Sequence, residues 1–369
     1  MKNYFDNYYD WWKNTDKYIF SLILILFFLG LFFSLVSTSL IASDKLDTNS
    51  YYFFIKHFVF IILGTIILII FSFLKEKFLF KISIILFVIS FITLVLVHFI
   101  GVEIKGSKRW IDFGFLPRFQ PIEIIKPFFI ITISTLLCLN KNNLYFKYFL
   151  SSFILLPTLL LLISQPDLGQ TLLIAMVWLT LIFVSGINIY LFFIFFIFVS
   201  LSATYLIFFV SKFEYIKFRF LSFINSSNVG NYQAEKASDA IIDGGFFGKG
   251  IGEGTLNSKV PEAHTDYIVS VISEEFGIII IFLIMLSFIF LAYNIFKKIR
   301  DTNDNLFKMI LIGLISLLMM QAFVHVGVNL RVLPTTGMTL PYLSYGGSSI
   351  ISISIISGII LNLTKRRVY

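Results

Sequence analysis

The sequence predicts an all-α integral membrane protein with about ten transmembrane helices, built as a single polytopic domain over residues 1–369. Of its 369 residues, 58% are hydrophobic and only 14% are charged, and the mean hydropathy is +0.90. Soluble domains contain about 45–50% apolar and about 25% charged residues. Ten apolar segments also approach the length of about 20 residues that a helix needs to cross a bilayer. These observations exclude a soluble protein with a membrane-bound tail.

The ten apolar segments account for most of the chain. They are 18–42, 51–74, 79–100, 119–139, 148–164, 168–185, 188–211, 268–295, 306–330 and 346–364. No small-residue cleavage site ends the first segment, so we expect a retained helix rather than a signal peptide. The fifth and sixth segments are short and share residues 165–170 as a turn. Within this turn Pro166 and Gly169 break the helix, and Asp167 can cap the next one.

The placement of lysine and arginine predicts that both termini are cytoplasmic. Basic clusters occur at the N-terminus, after the second, fourth and eighth segments, and at the C-terminus, and all of these fall on one side of a ten-helix protein. Such an excess marks the cytoplasmic side. The segment 212–267 is then a large extracytoplasmic loop between helices 7 and 8. The loop 101–118 also lies outside although it is basic, and this exception suggests a functional role.

Several other classes of protein find no support in the sequence. The formal charge of +8 requires no nucleic-acid partner, because basic residues at helix ends account for much of it. The lone Cys138 excludes an intrachain disulfide. The glycines of 244–254 give no dinucleotide-binding motif, because no strand–helix unit surrounds them, and the sequence has no Walker loop. We therefore assign no cofactor.

The longest polar run, 231–277, carries the first candidate for catalysis. Asp266 lies in this run, where the large loop meets the eighth apolar segment. A carboxylate that is partly desolvated at the boundary of water and lipid can be tuned as a general base. The alternative is a helix cap, since Thr265 and Asp266 are both favourable N-cap residues. We expect His264 to be a hydrogen-bonding neighbour rather than a metal ligand.

Ionisable residues inside apolar segments form the second set of candidates, because such charges are costly and are functional candidates by default. Glu123 and Lys126 are spaced i, i+3 near the start of the fourth segment, so they share one helix face and can pair. The pair either lines a cavity or is a structural ion pair that fixes this helix. Of Glu274 and Glu275 in the eighth segment, we expect one to face the interior and pair with a cation.

The C-terminal part carries two further polar features. Gln321, His325 and Asn329 are spaced i, i+4, i+8, and such a polar stripe indicates interhelical hydrogen bonds more often than catalysis. The following stretch, 331–349, contains two prolines and three glycines at membrane depth. We expect a broken or re-entrant segment there that is buried in protein.

Six motifs resemble the SEDS family, the shape, elongation, division and sporulation proteins of bacteria. They are GSKRWIDFG at 106–114, FQPIEIIK at 119–126, QPDLG at 165–169, GGFFGKGIGEG at 244–254, PEAHTDYIVSVISEEFG at 261–277 and LPTTGMTLPYLSYGGSS at 333–349. They occur in order from about residue 100 to the C-terminus. Ala263 stands where the elongation branch usually has arginine, so the chain is more similar to the division branch.

The resemblance implies a peptidoglycan glycosyltransferase that polymerises lipid II in the bacterial plasma (inner) membrane, at the division septum. It implies a class B penicillin-binding protein and other divisome proteins as partners. It puts the family's essential aspartate at Asp266, and the family's acid and lysine of helix 4 at Glu123 and Lys126.

The expected reaction supplies the remaining candidates. A sugar hydroxyl attacks the anomeric carbon of a lipid-linked sugar pyrophosphate, with Asp266 as the base, and the departing negative charge needs cations. The candidate substrate-binding residues are Lys108, Arg109, Lys126, Glu123 and His264. A divalent cation is compatible with this chemistry, but no ligand cluster is evident in the sequence, and we assign no metal site.

Three alternatives stay open at this point: a lipid II flippase, an elongation-type polymerase, and a scaffold that only recruits a synthase. A flippase would also use a basic outer loop and intramembrane charges to pass a pyrophosphate headgroup. The polar residues, however, concentrate on the outer side of the predicted bundle rather than along a path through the membrane.

Overall fold

The computed structural model describes nine stretches of the chain: 9–38, 51–104, 107–112, 114, 117–139, 143–210, 213–224, 232–256 and 260–365. Its helices are α1 (Lys17–Thr38), α2 (Tyr52–Phe73), α3 (Glu76–Ile100), α4 (Pro121–Leu137), α5 (Leu144–Ser164), α6 (Leu168–Val184), α7 (Ile189–Phe209), α8 (Glu214–Ile224), α9 (Tyr232–Gly244), α10 (Ile268–Phe276), α11 (Ile278–Asp301), α12 (Asn305–Asn329) and α13 (Gly347–Leu363). Two strands, β1 (Val102–Ile104) and β2 (Ser107–Trp110), complete the described elements.

The predicted helical membrane fold is confirmed. Each predicted apolar segment coincides with helix in the described residues. Six of the described helices, α1, α2, α3, α5, α11 and α12, are long and apolar enough to cross a membrane. Helices α4, α6 and α13 have 17 residues each, about 26 Å of rise. The count of ten spans and the cytoplasmic termini stay predictions.

Three details differ from the sequence-based prediction. The predicted eighth span is two helices, α10 and α11, which Gly277 separates with a backbone φ of 83°. Helix α11 has 24 residues, about 36 Å of rise, and is therefore long enough to span a bilayer without α10. The predicted loop 212–267 contains the helices α8 and α9. The loop 101–118 contains an antiparallel hairpin of β1 and β2, with Glu103 opposite Lys108.

Close backbone packing explains the break at Gly277. The glycine-rich turn after α9 lies against α10, where the Lys249 amide donates to the Glu274 carbonyl and the Gly250 amide donates to the Glu275 carbonyl. A side chain at Gly277 would begin 2.0 Å from the carbonyl oxygen of Phe246. The glycines of this region therefore allow two backbones to touch.

Helices α4, α12 and α13 form the centre of the bundle and are buried along most of their length. The exposed side chains of α2, α3, α5 and α7 are largely apolar, as expected of a surface that faces lipid. Lipid supplies no hydrophobic force between helices, so contact depends on small residues and hydrogen bonds. Helix α13 packs along α2 in this way, with Gly64 against Ser354 and Gly358 against the Leu68 carbonyl.

Asn362 fixes the end of this helix pair. Its Nδ2 donates to three carbonyls at the C-terminal end of α2, those of Phe71 at 2.8 Å, Ser72 at 3.1 Å and Leu74 at 2.7 Å. The last carbonyls of a helix have no partner within the helix. A buried side-chain amide from α13 therefore supplies the hydrogen-bond partner that the carbonyls at the end of α2 lack.

We predict that Asn362→Ala destabilises the protein, because each carbonyl that loses its buried partner costs about 1–3 kcal/mol. The matched control is Asn294→Ala, since Asn294 is only partly buried and donates within its own helix, to the Phe290 carbonyl. Thermal unfolding of the purified protein in detergent should show a lower midpoint for Asn362→Ala alone. Equal midpoints for the two variants would contradict the assignment.

Candidate active site

Glu123 and Lys126 lie in the first turns of α4, which begins at Pro121, a residue that favours the start of a helix. Their ion pair joins Lys126 Nζ to Glu123 Oε2 at 2.7 Å. Only 3% of Glu123 and 1% of Lys126 are exposed. The predicted pairing is therefore present, and it is sealed inside the protein.

Three other helices complete the hydrogen bonds of this ion pair. Gln170 of α6 donates from Nε2 to Glu123 Oε1 at 2.8 Å. Lys126 donates from Nζ to Gln321 Oε1 of α12 at 3.2 Å. Ser352 of α13 donates to the Glu123 carbonyl at 2.5 Å. Of the two interpretations of the pair, this burial and these contacts from three helices favour a structural ion pair.

A second buried charge lies at the turn before α6. Asp167, which the sequence suggested only as a helix cap, does accept from the Gln170 amide at 3.4 Å. It also accepts from Gln120 Nε2 at 3.2 Å, and Arg109 NH1 lies 3.8 Å from its Oδ2. The sequence missed this second role, because the pairing joins residues far apart in the chain.

Arg109 reaches this turn from strand β2. It donates from Nε to the Gln165 carbonyl at 3.0 Å and also to the Pro166 carbonyl. Neighbouring residues of a strand point to opposite faces. Lys108 is accordingly exposed, and the structure does not bring it to the turn beside Arg109.

Asp266 lies in the turn that precedes α10. The N-cap of α10 is Tyr267, which makes no side-chain capping hydrogen bond, so neither Thr265 nor Asp266 occupies the cap position. Asp266 is partly exposed, and a side chain at Gly337 would begin 3.5 Å from its Oδ2. The carboxylate therefore lies beside the segment 331–346, where Gly337 leaves space.

In the turn that carries Asp266, three consecutive backbone carbonyls accept hydrogen bonds from other parts of the protein. The His264 carbonyl accepts from the Tyr345 amide at 3.0 Å, and the Thr265 carbonyl accepts from Ser344 Oγ at 2.7 Å. The Asp266 carbonyl accepts from Asn329 Nδ2 at 3.2 Å. The backbone of the turn is fixed by α12 and by the segment before α13.

His264 contributes to packing in this turn. Its ring centroid lies 4.9 Å from that of Phe53 and 5.9 Å from that of Tyr345. Within the described part of the chain, no group of three or more His, Cys, Asp or Glu residues could hold a metal ion. The geometry therefore places His264 among aromatic rings close to Asp266.

The polar stripe of α12 connects the two parts of the site. Gln321 donates to the Thr339 carbonyl at 3.0 Å, and His325 Nδ1 lies 2.7 Å from the Met338 carbonyl. Asn329 donates to the Asp266 carbonyl, and Gln321 accepts from Lys126 Nζ. The predicted interhelical role of the stripe is confirmed. Eight residues separate its ends, so the ion pair and Asp266 lie about 12 Å apart along α12.

The segment 331–346 is irregular, as predicted. Its buried residues include Thr336, Met338, Leu340, Tyr342 and Ser344. Irregular backbone at membrane depth needs protein partners for its polar groups. The stripe of α12 supplies several of them.

Residues 16–369 match the FtsW/RodA/SpoVE family, whose members are described as cell cycle proteins. The chain belongs to this family. The resemblance that the sequence motifs indicate is thereby confirmed.

Three relatives named probable peptidoglycan glycosyltransferase FtsW illustrate the similarity. The protein of Caulobacter vibrioides is 29% identical over 97% of this chain and 91% of its own length. That of Coxiella burnetii is 32% identical over 94% and 95%, and that of Buchnera aphidicola from Acyrthosiphon pisum is 35% identical over 92% and 86%. These names agree with the function and the branch that the sequence predicts for this FtsW/RodA/SpoVE family member.

Two solved structures share the fold. One is a chain of a peptidoglycan synthase complex that coordinates polymerization and crosslinking, with a TM-score of 0.78 at 24% identity over 95% of this chain and 97% of that one. The other is the rod shape determining protein RodA of Thermus thermophilus, with a TM-score of 0.68 at 24% identity over 95% and 96%. The described helices therefore have the arrangement of other family members.

We predict that Lys126→Ala destabilises this family member strongly, because removing one partner of a buried ion pair costs about 3–5 kcal/mol. Lys236 is the matched control, since it forms an exposed i, i+3 pair with Asp239. Exposed pairs are worth about 0–1 kcal/mol. The measurement is the midpoint of thermal unfolding of each purified variant.

A double variant, Glu123→Gln with Lys126→Met, separates structure from chemistry. It removes both charges, so we expect the unfolding midpoint to recover much of what Lys126→Ala loses. A folded but inactive double variant would support a role for the pair in substrate binding. An unfolding midpoint for Lys126→Ala equal to that of Lys236→Ala would contradict the buried placement.

Proposed function

We propose that this protein polymerises lipid II into glycan strands during septal cell-wall synthesis, with Asp266 as the general base. Its relatives over nearly the whole chain are named peptidoglycan glycosyltransferases. The observation that carries the assignment of Asp266 is geometric. The backbone carbonyls of three consecutive residues in its turn accept hydrogen bonds, while Asp266 itself is partly exposed and does not occupy the N-cap of α10.

The chemistry requires one carboxylate. The acceptor is a hydroxyl of the terminal sugar of one lipid II, and the donor is the anomeric carbon of another, linked to pyrophosphate. The new C–O bond forms as the bond between that carbon and the pyrophosphate oxygen breaks. The hydroxyl proton passes to Asp266. Pyrophosphate leaves without being protonated, in contrast to the leaving groups of glycoside hydrolysis, which need a second carboxyl group.

The roles of the remaining candidates follow from their surroundings. We propose that Arg109, on β2, stabilises the negative charge that develops on the leaving group. Lys126 is neutralised by Glu123 and buried, so we propose that this pair fixes α4 beneath the site rather than binding pyrophosphate directly. Lys108 is exposed on β2 and is available to headgroups at the membrane surface. His264 supports the Asp266 turn through its aromatic contacts.

The proposed setting is the bacterial inner membrane at the division septum. We propose ten spans with both termini in the cytoplasm, so that α8, α9 and Asp266 lie on the outer side. One structural relative belongs to a complex that coordinates polymerization with crosslinking. A class B penicillin-binding protein, which performs crosslinking, is therefore the proposed partner, together with other divisome proteins.

A direct test combines the purified protein with labelled lipid II, with and without its penicillin-binding partner. Glycan strands are the expected product. Movement of headgroups between leaflets without strands would instead identify a flippase. Neither strands nor movement would identify a scaffold, and either result would overturn the proposal.

We predict that Asp266→Asn abolishes polymerisation, because the amide keeps the size of the side chain but cannot accept the proton. General-base catalysis contributes about 10²–10⁴-fold to a rate. The unfolding midpoint should stay unchanged, since the backbone contacts of the turn do not use the carboxylate. Asp239→Asn on the exposed face of α9 is the matched control. Strand synthesis by Asp266→Asn within a few-fold of the control would remove the assignment.

A further inference from the structure

Arg219 is a basic residue of α8 that the sequence motifs did not bring to attention. Tyr215, four residues earlier, donates from its hydroxyl to the Ile163 carbonyl at 3.2 Å, which anchors α8 on the end of α5. Residues spaced i, i+4 share one face of a helix. The face of α8 that carries Arg219 is therefore turned towards the 165–167 turn, where Arg109 and Asp167 meet.

Two positive charges converge on this turn. Burial lowers the pKa of Arg219, and the positive charge of Arg109 lowers it further, whereas Asp167 raises it. Asp167 already accepts from Gln120 and lies against Arg109. Arg109 thus forms the ion pair with Asp167, whereas Asp167 acts on the Arg219 charge without a direct pair among the described residues.

Arg219 is only partly exposed, and within the described residues its side chain forms no hydrogen bond or ion pair. A charge removed from water without a partner is costly. Lys126, by contrast, has both a carboxylate and an amide oxygen as partners. Among the described residues, the Arg219 side chain therefore has no carboxylate at ion-pair distance.

The surroundings of Arg219 also connect it to the proposed catalytic base. Tyr267, which directly follows Asp266, is among the groups that act on the Arg219 charge. The Arg219 charge is therefore within electrostatic range of both the 165–167 turn and the residue that follows Asp266.

We propose that Arg109 and Arg219 together bind the pyrophosphate of the lipid-linked donor. This inference rests on the proposed function and assigns the leaving-group site within it. A guanidinium group offers a planar fork of donors that matches phosphate oxygens, and two such groups match two linked phosphates. As the bond to the anomeric carbon breaks, its electron pair stays on the pyrophosphate oxygen. The two arginines stabilise that added charge.

The neighbouring lysine of α8 provides a matched control. Lys217 lies two residues before Arg219, and its Nζ lies 6.0 Å from the ring centroid of Phe208 on α7. It therefore carries the same charge on the same helix but faces a different neighbour. Arg219→Lys is the conservative variant, because it keeps the charge and loses the planar fork.

The first experiment measures binding of undecaprenyl pyrophosphate and of undecaprenyl monophosphate to the purified full-length protein in detergent. The two probes share the lipid tail, so their difference reports the second phosphate. Arg219→Ala should bind the pyrophosphate at least about tenfold more weakly, as expected for losing a charge-assisted hydrogen bond. It should bind the monophosphate with a smaller loss. Lys217→Ala should stay within about twofold of the unmodified protein for both probes, as a partly exposed charge outside the site would.

The second experiment measures polymerisation of labelled lipid II at saturating substrate. A role in stabilising the leaving group lowers kcat, whereas a role in binding alone raises KM. Arg219→Ala should lower kcat by about tenfold or more, with partial recovery in Arg219→Lys. Asp266→Asn should keep its affinity for undecaprenyl pyrophosphate, since it removes the base and leaves the arginines.

Equal pyrophosphate affinities of Arg219→Ala and Lys217→Ala, with both variants folded, would overturn this inference. The proposed function would still stand if the unmodified protein polymerised lipid II. An unmodified protein that bound pyrophosphate through Arg219 but made no strands would retain the site and overturn the proposed function. If Arg219→Ala fails to fold, Arg219→Lys decides the question: unchanged pyrophosphate affinity and unchanged kcat in that variant would overturn the inference.

Discussion

The rest of the site depends on the neutralisation of one buried charge, Lys126, inside an apolar bundle. A charge in such an interior is tolerated when it is paired and when the remaining polar atoms have hydrogen-bond partners. Glu123 supplies the pair, and the partners come from α6, α12 and α13. These four helices must therefore keep a fixed arrangement around the start of α4.

Helix α12 extends this arrangement from the ion pair to the proposed base. Gln321 at one end of its polar stripe accepts from Lys126, and Asn329 at the other end donates to the Asp266 carbonyl. Between them, His325 and Gln321 contact the irregular segment that passes beside the Asp266 carboxylate. A partly exposed carboxylate is thus carried on a backbone held by buried hydrogen bonds. Such support from surrounding residues is what a precise catalytic geometry requires.

Most of the fold could be predicted from the sequence, because apolar length determines which segments can cross a membrane. The break at Gly277 could not, since α10 and α11 form one continuous apolar run and the cause lies in the Phe246 carbonyl of a distant turn. The helices α8 and α9 were missed for a related reason: they lie in a polar segment where apolar length carries no signal.

The candidate site was predicted unevenly. The spacing of Glu123 and Lys126 correctly indicated a pair, because residues at i, i+3 meet on one helix face. The partnership of Arg109 with Asp167 joins residues 58 positions apart and leaves no local pattern. Arg219 had one usable signal, which is its positive charge in a segment predicted to be extracytoplasmic, as for the loop that carries Arg109. Lys108 and Arg109 were both candidates from the sequence, and the alternation of side chains along β2 directs them to different surroundings.

We propose that the turn bonded to α12 positions Asp266 next to the acceptor sugar. The most direct measurement is an experimental structure of the inactive Asp266→Asn variant with lipid II bound. The acceptor hydroxyl should lie within hydrogen-bonding distance, about 3 Å, of the side chain at position 266, with the donor pyrophosphate between Arg109 and Arg219. An acceptor hydroxyl that lies beyond the reach of this side chain, in a complex whose α12 contacts are intact, would contradict this proposal.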